Sequence, residues 1–263
     1  MFLDNRGPPL RITSNNPPRT NEKTQRITWS ASEPATFECK LNGGVVNCGG
    51  KGTTGGYTTP NLPDGSHTFE VNAVDNLGNK GTPQTVSWSI DTRGPTVQLT
   101  NRVPPQTSNP KTRITWSSSE PGRFECILDG IKVACGSGNT GAYTTPDLND
   151  GNHWFSVNSA DPLGNKGTPV RVEWKTDSTG PDITFPSTLP DKTRASPLVT
   201  WTSSEPSNFE CALDIKSRSI KCGKGTYGEW NGLNIPHGRR TFWVRGTDNL
   251  GNVGEWKPYN FEV

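Results

Sequence analysis

The chain has 263 residues; 27 basic and 25 acidic side chains leave a formal charge of +2, and 29 glycines and 23 prolines accompany a hydrophobic fraction of only 29%. So even a balance supplies no long-range field to gather nucleic acid or an anionic surface, and no apolar run approaches membrane-spanning length. The N-terminal stretch MFLDNRGPPL is too short and too polar for a secretory signal, so the chain is expected to be a segment of a longer secreted protein with Met1 as an added start residue.

In chain order, the first marked element is the alternating strand Arg26-Ile-Thr-Trp29, followed by Ser-Glu-Pro and a second strand, Thr36-Phe-Glu-Cys39. Next come the hairpin-turn pair Asn42-Gly43, the strand His67–Ala73 with Phe69, Val71 and Ala73 facing inward, and a last strand carrying Val86 and Trp88. The whole series then recurs. Trp29 returns as Trp116 and Trp201, at intervals of 87 and 85 residues, so the repeating unit is a small domain and not a solenoid turn. Asp4-Asn-Arg-Gly-Pro, Asp91-Thr-Arg-Gly-Pro and Asp177-Ser-Thr-Gly-Pro punctuate the copies and predict domains at 1–91, 92–177 and 178–263. About seven short strands per unit, with period two throughout, predict an all-β chain of three tandem immunoglobulin-like or fibronectin-like sandwiches. The short linkers favour a semi-rigid rod.

Cysteines fall one pair to a unit: Cys39 and Cys48, Cys126 and Cys135, Cys211 and Cys222, at separations of nine, nine and eleven. Pairing within each unit is the simplest scheme, and each bond would staple a local hairpin where an immunoglobulin disulfide spans the two sheets. In the third unit Asp214-Ile-Lys-Ser-Arg replaces the tight turn, which predicts a longer, more basic hairpin. Disulfides place the chain in an oxidising compartment, extracellular or at a cell surface. No Asn-x-Ser/Thr sequon is present.

In such a sandwich, the end where the chain enters also carries two loops, which brings together four oxygen-bearing side chains per unit. These are Asp4, Glu33, Asp75 and Asn79; Asp91, Glu120, Asp161 and Asn165; and Asp177, Glu205, Asp248 and Asn252. Hard cations take six to eight oxygens, so each cluster is a candidate Ca2+ site at a domain junction. The same residue types beside glycine also make side-chain-to-backbone turns, and both readings stay open on the residues alone.

Of nine tryptophans, Trp29, Trp116, Trp201, Trp88 and Trp174 repeat as core residues, whereas Trp154, Trp230, Trp243 and Trp256 depart from the pattern and are candidates for a surface binding patch. His67 and His153 recur where a turn meets a strand, near the place of His237 in PHGRR. Closing three cysteine pairs leaves no free thiol nucleophile, and there is no phosphate-cradling loop, so the chain reads as no enzyme.

Phe124-Glu-Cys126, Leu128-Asp-Gly130, Cys135, Tyr143, Leu148, Gly151, His153, Phe155, Val157, Asp161, Gly164-Asn165, Trp174, Asp177 and Pro181, with counterparts in the first unit, resemble the tandem bacterial-type Ig-like repeats of large secreted and cell-surface proteins, including adhesin stalks. The resemblance implies a spacer, adhesive or filament role, with calcium near some domain junctions. It covers essentially the whole chain. The third unit departs from it, with Tyr227-Gly-Glu-Trp230 for the YTTP run and Gly246 for Ala73 and Ser159. The expected function is therefore an extracellular structural or adhesive segment whose partner is a protein or glycan at a cell surface or within a filament. The alternative is a carbohydrate-binding module accessory to a secreted enzyme or adhesin.

Overall fold

The computed structural model describes residues 5–186 and 197–263. The first unit contains β1 (Leu10–Ile12), β2 (Arg19–Thr20), β3 (Arg26–Leu41), β4 (Gly44–Val46), β5 (Gly52–Thr58), β6 (Gly65–Val74) and β7 (Gln84–Ile90). The second repeats it as β8 (Val97–Leu99), β9 (Gln106–Thr107), β10 (Arg113–Leu128), β11 (Ile131–Val133), β12 (Ser137–Thr144), β13 (Gly151–Ala160) and β14 (Val170–Thr176). The third has β15 (Ile183–Thr184), β16 (Leu198–Leu213), a 3-10 turn at Lys216–Arg218, β17 (Ile220–Asn231), β18 (Arg239–Thr247) and β19 (Lys257–Glu262).

RITW and TFEC, which read as separate strands, form one. β3 runs 16 residues through Ser32-Glu33-Pro34, pairing first with β1 and β5 and then with β4 and β6. Its register with β5 shifts between Ser30 and Ala35. A bulge of this kind bends a strand and lets a proline sit within it. The bent strand thus belongs to two sheets, β1-β3-β5 and β4-β3-β6-β7-β2, with β2 parallel to β7. β10 and β16 make the same crossing, which gives three tandem β-sandwich domains of the immunoglobulin/fibronectin-III kind.

Between the sheets, Trp29 meets Phe37 edge-on at 5.5 Å and Phe69 at 5.8 Å, and Trp116 and Trp201 repeat both contacts. Each indole lies over a glycine of the facing strand, Gly55, Gly141 or Gly228, where a β-carbon would overlap the ring. Phe69 is stacked on Tyr57 and Phe155 on Tyr143, while Phe242 takes Trp230 at 4.5 Å. Trp230 thus occupies the core place of the tyrosines: Val199 pairs with it as Ile27 pairs with Tyr57. The third-unit departure from YTTP is a substitution of aromatic rings at one register position, since Tyr227 aligns with Thr54 and stays exposed.

The disulfides are Cys39–Cys48, Cys126–Cys135 and Cys211–Cys222, with Cα separations of 6.0, 6.2 and 5.7 Å. Asn42 and Gly43 (φ 50° and 81°) and Asp129 and Gly130 (φ 48° and 86°) both take the left-handed conformation, as a type I′ hairpin demands. The longer third hairpin turns through Asp214 (φ 58°) and the 3-10 segment. These turn residues also fasten the next strand. Asn42, Asp129 and Asp214 each accept a backbone N–H, from Thr68, Trp154 and Thr241 at 3.0, 2.8 and 3.0 Å. Their other side-chain atoms meet His67, His153 and Arg240. Arg240, and not the exposed His237, therefore fills the histidine position of the third unit.

Candidate functional site at the domain junctions

The linker glycines explain how each linker is seated on the domain that it enters. A β-carbon on Gly94 would overlap the backbone of Lys166 and Gly167, and one on Gly167 would overlap the Pro95 carbonyl. Gly7 meets Lys80 and Gly81 in the same way, and Gly180 meets Val253 and Gly254. The Gly-Pro of each linker thus allows the chain to press on the loop after Asp-x-x-Gly-Asn, a close approach that only glycine permits.

Side chains hold the linker from both sides. Asp91 N–H donates to Thr20 O at 2.9 Å, and Thr92 donates from N–H and Oγ1 to Asp64 Oδ1 at 3.2 and 2.8 Å, binding the linker to the first domain. Asn165 of the second domain donates Nδ2 to Asp91 O at 2.8 Å. The second linker repeats the scheme: Asp177 N–H donates to Thr107 O at 2.9 Å, Ser178 N–H and Oγ donate to Asp150 at 2.8 and 2.7 Å, and Asn252 Nδ2 donates to Asp177 O at 2.6 Å. The Ser178 hydroxyl and amide hold the Asp150 carboxyl below its ordinary range.

Within the four-residue clusters the Asp and Asn of Asp-x-x-Gly-Asn close a turn of their own. Asp75, Asp161 and Asp248 each accept from the backbone N–H of the asparagine at 2.8 Å and from its side-chain amide, at 2.7, 2.9 and 2.8 Å. The Asn79 amide, ahead of the backbone donors, draws the Asp75 carboxyl below its usual range. Asp4 lies outside the described residues. Glu33 and Asp75 are half-buried at the head of the first domain, whereas Asp161 and Asp248 are buried at the two junctions.

The two junctions differ in what neutralises them. At the first, Arg19 Nη2 lies 2.7 Å from Asp91 Oδ2 and 3.7 Å from Glu120 Oε2. Asn21 Nδ2 also crosses to Leu163 O at 2.8 Å. The Arg19 guanidinium, helped by the Arg93 amide, holds the Asp91 carboxyl below the normal carboxylate range. At the second, Gln106 takes the place of Arg19, each pairing with the last strand of its own domain. There Asp177, Glu205 and Asp248 bring carboxylate oxygens within 4.8 Å of one another, the one group of three carboxylates that close among the described residues. Lys175 Nζ, 3.0 Å from Asp177 Oδ2, is the neighbouring cation. Burial, then Asp177 and Asp248, push the Glu205 carboxyl up. Arg19 and Asn21 escape notice in the sequence, although Pro17-Pro18-Arg19-Thr20 against Pro104-Pro105-Gln106-Thr107 carries the signal.

Away from the junctions, three of the four departing tryptophans carry cations on their rings. Arg171 Cζ stands 4.1 Å from the Trp154 centroid, Lys216 Nζ 3.9 Å from Trp243, and Arg245 Cζ 4.6 Å from Trp256. Both nitrogens of His67 and His153 are engaged, on Asn42 or Asp129 and on the carbonyls of Pro63 or Asn149, so these rings fasten turns.

No family model matches the chain, and the curated proteins contain no match. Solved structures that resemble it include two of fibronectin-III-like modules and one of a glycan complex. The fibronectin(III)-like modules of Clostridium thermocellum CbhA align at TM-score 0.34 and 20% identity, over 64% of this chain and 93% of that one. The central fibronectin-III array of RIM-binding protein aligns at 0.25 and 14%, over the whole of both chains. A Bacteroides ovatus protein, SGBP-B, solved with a mixed-linkage heptasaccharide, aligns at 0.24 and 12%, over all of this chain and 71% of that one. Scores this low add nothing to the class already defined by strand pairing, tandem sandwich domains of the immunoglobulin/fibronectin-III kind.

Proposed function

We propose that the chain is a structural segment of an extracellular protein, a semi-rigid succession of three sandwiches that spaces or presents other parts of an adhesive or filamentous assembly. The observation that carries this reading is the double anchorage of each linker, to the preceding domain through Asp64 or Asp150 and to the following one through Asn165 or Asn252. Linkers free to swivel need no such contacts. The hairpin disulfides favour an oxidising compartment.

Calcium belongs to the same proposal at the second junction. The first junction places a guanidinium between Asp91 and Glu120. With Gln106 in place of that arginine, Asp177, Glu205 and Asp248 supply three hard oxygen donors, which suit Ca2+ once carbonyl or water oxygens complete the shell. Lys175 would leave Asp177 as the ion enters; it is an exposed partner and weakly held.

Small-angle scattering on the intact protein tests the reading. We expect a maximum dimension near three sandwiches end to end, a narrow distribution, and a broader one for the Arg19→Ala/Asn21→Ala variant. A broad distribution for the unaltered protein, identical in the variant, would overturn it.

A further inference from the structure

The outer face of the second domain carries side chains that its sister domains lack. On β13 and β14, Asn152, Trp154, Arg171, Glu173 and Lys175 alternate with the inward-facing Phe155, Val157, Val172 and Trp174. The cross-strand register puts Ser66, Thr68, Thr85, Ser87 and Ser89 at these places in the first domain. In the third it puts Arg239, Thr241, Pro258, Asn260 and Glu262 there. The inward positions repeat because the core demands it; the outward ones are free to differ, and here they differ together, around one recess.

That recess has a volume of about 360 Å³ and is lined by Pro105, Trp154, Arg171, Glu173 and Asn152 among others. Arg171 covers Trp154 at 4.1 Å and pairs with Glu173 at 2.8 Å, which fixes the indole while part of it stays exposed. The lysine and arginine at the recess already have their carboxylates, Arg171 on Glu173 and Lys175 on Asp177 at 3.0 Å, and the His153 ring meets Asp129 at 2.7 Å. The part of the indole that Arg171 leaves uncovered, bordered by amide, guanidinium and carboxylate groups whose charges are paired, suits a ligand that is uncharged, dense in hydroxyls and apolar on one face. A pyranose ring has that chemistry.

We propose that this recess is a binding site for neutral pyranosyl glycans, with the C–H face of a sugar against Trp154 and its hydroxyls on Asn152, Arg171 and Glu173. It is an activity additional to the structural role, and measuring it in the presence of a chelator keeps Lys175 on Asp177 whatever the second junction does with a cation. Calorimetry with cellohexaose, laminarihexaose and mannohexaose, and with hexagalacturonate as the anionic probe, on the intact protein and its Trp154→Ala, Trp243→Ala and Glu173→Gln variants tests it. The expected result is saturable binding of at least one neutral hexaose, roughly tenfold or more weaker in Trp154→Ala at an unchanged melting temperature and unaltered in Trp243→Ala. If Trp154→Ala does not fold, Glu173→Gln carries the test by the same criterion. Absence of binding by all three neutral probes, tighter binding of hexagalacturonate, or affinity in the Trp154 and Glu173 variants equal to that of the intact protein would overturn it.

Discussion

Gly55, Gly141 and Gly228 lie directly beneath Trp29, Trp116 and Trp201, and a β-carbon on Gly55 would come within 2.5 Å of the indole. The indoles are at most 1% exposed and have no room to retreat. Gly141→Ala should therefore cost about 1–3 kcal/mol by overpacking, seen as a lower melting temperature, whereas Gly136→Ala, at a turn with open space around its β-position, tests only its positive φ of 80°. His153 gives a pH-dependent counterpart. Burial lowers its pKa, but the Asn149 carbonyl and the Asp129 carboxylate together outweigh burial and leave it raised. Its contribution is thus complete below the unfolded value of about 6.5 and fades as pH rises through the folded value. Asp129→Asn should lower the His153 pKa in an NMR titration and flatten that part of the stability profile; an unchanged titration would contradict the assignment. Trp29 and its repeats were legible as core residues because they recur on alternating strands. The opposing glycines were not, since a sequence does not reveal which backbone an indole will cover.

At the scale of elements, the hairpin bonds and linkers carry separate predictions. Replacing Cys126 and Cys135 by serine should cost about 2–3 kcal/mol, the loop-closure value for so short a ring, with the loss read in the denaturant midpoint. Gly94→Ala should lift the first linker from the second domain, because the added methyl collides with Lys166 and Gly167 of that domain, and hydrogen exchange at the Asp91 and Arg93 amides should accelerate. The local pairings and the Asn42-Gly43 and Asp129-Gly130 turns were readable from spacing and turn chemistry. The continuous β3 strand was not: Ser-Glu-Pro looks like a break, and only the partners on either side of the bulge show the chain passing from one sheet to the other. Trp230 misleads for a related reason. Its neighbours differ from those of Tyr57, and the shared register appears only once the pairing with Val199 is known.

For the whole molecule, the two junctions should respond differently to charge. Burial and two neighbouring carboxylates raise the Glu205 pKa, so this group weakens the native state as pH rises from its unfolded value of about 4.5 through the folded one. Glu205→Gln should therefore raise the melting temperature near neutral pH in the presence of a chelator. In the unaltered protein, Ca2+ should supply that stabilisation, and the calcium-induced shift should vanish in Glu205→Gln. The carboxylates were legible as candidates from the repeat, but their unequal neutralisation turns on Arg19, about 70 residues before the Asp91 that it pairs with, and on Gln106 at the same register position of the second domain. The central claim, that the joints hold three sandwiches in a fixed succession, is met most directly by backbone 15N relaxation on the intact protein. Fixed joints predict one anisotropic tumbling tensor that fits the amides of all three domains, with a correlation time appropriate to the whole chain. Three separate tensors with short correlation times, each appropriate to a single sandwich, would contradict it.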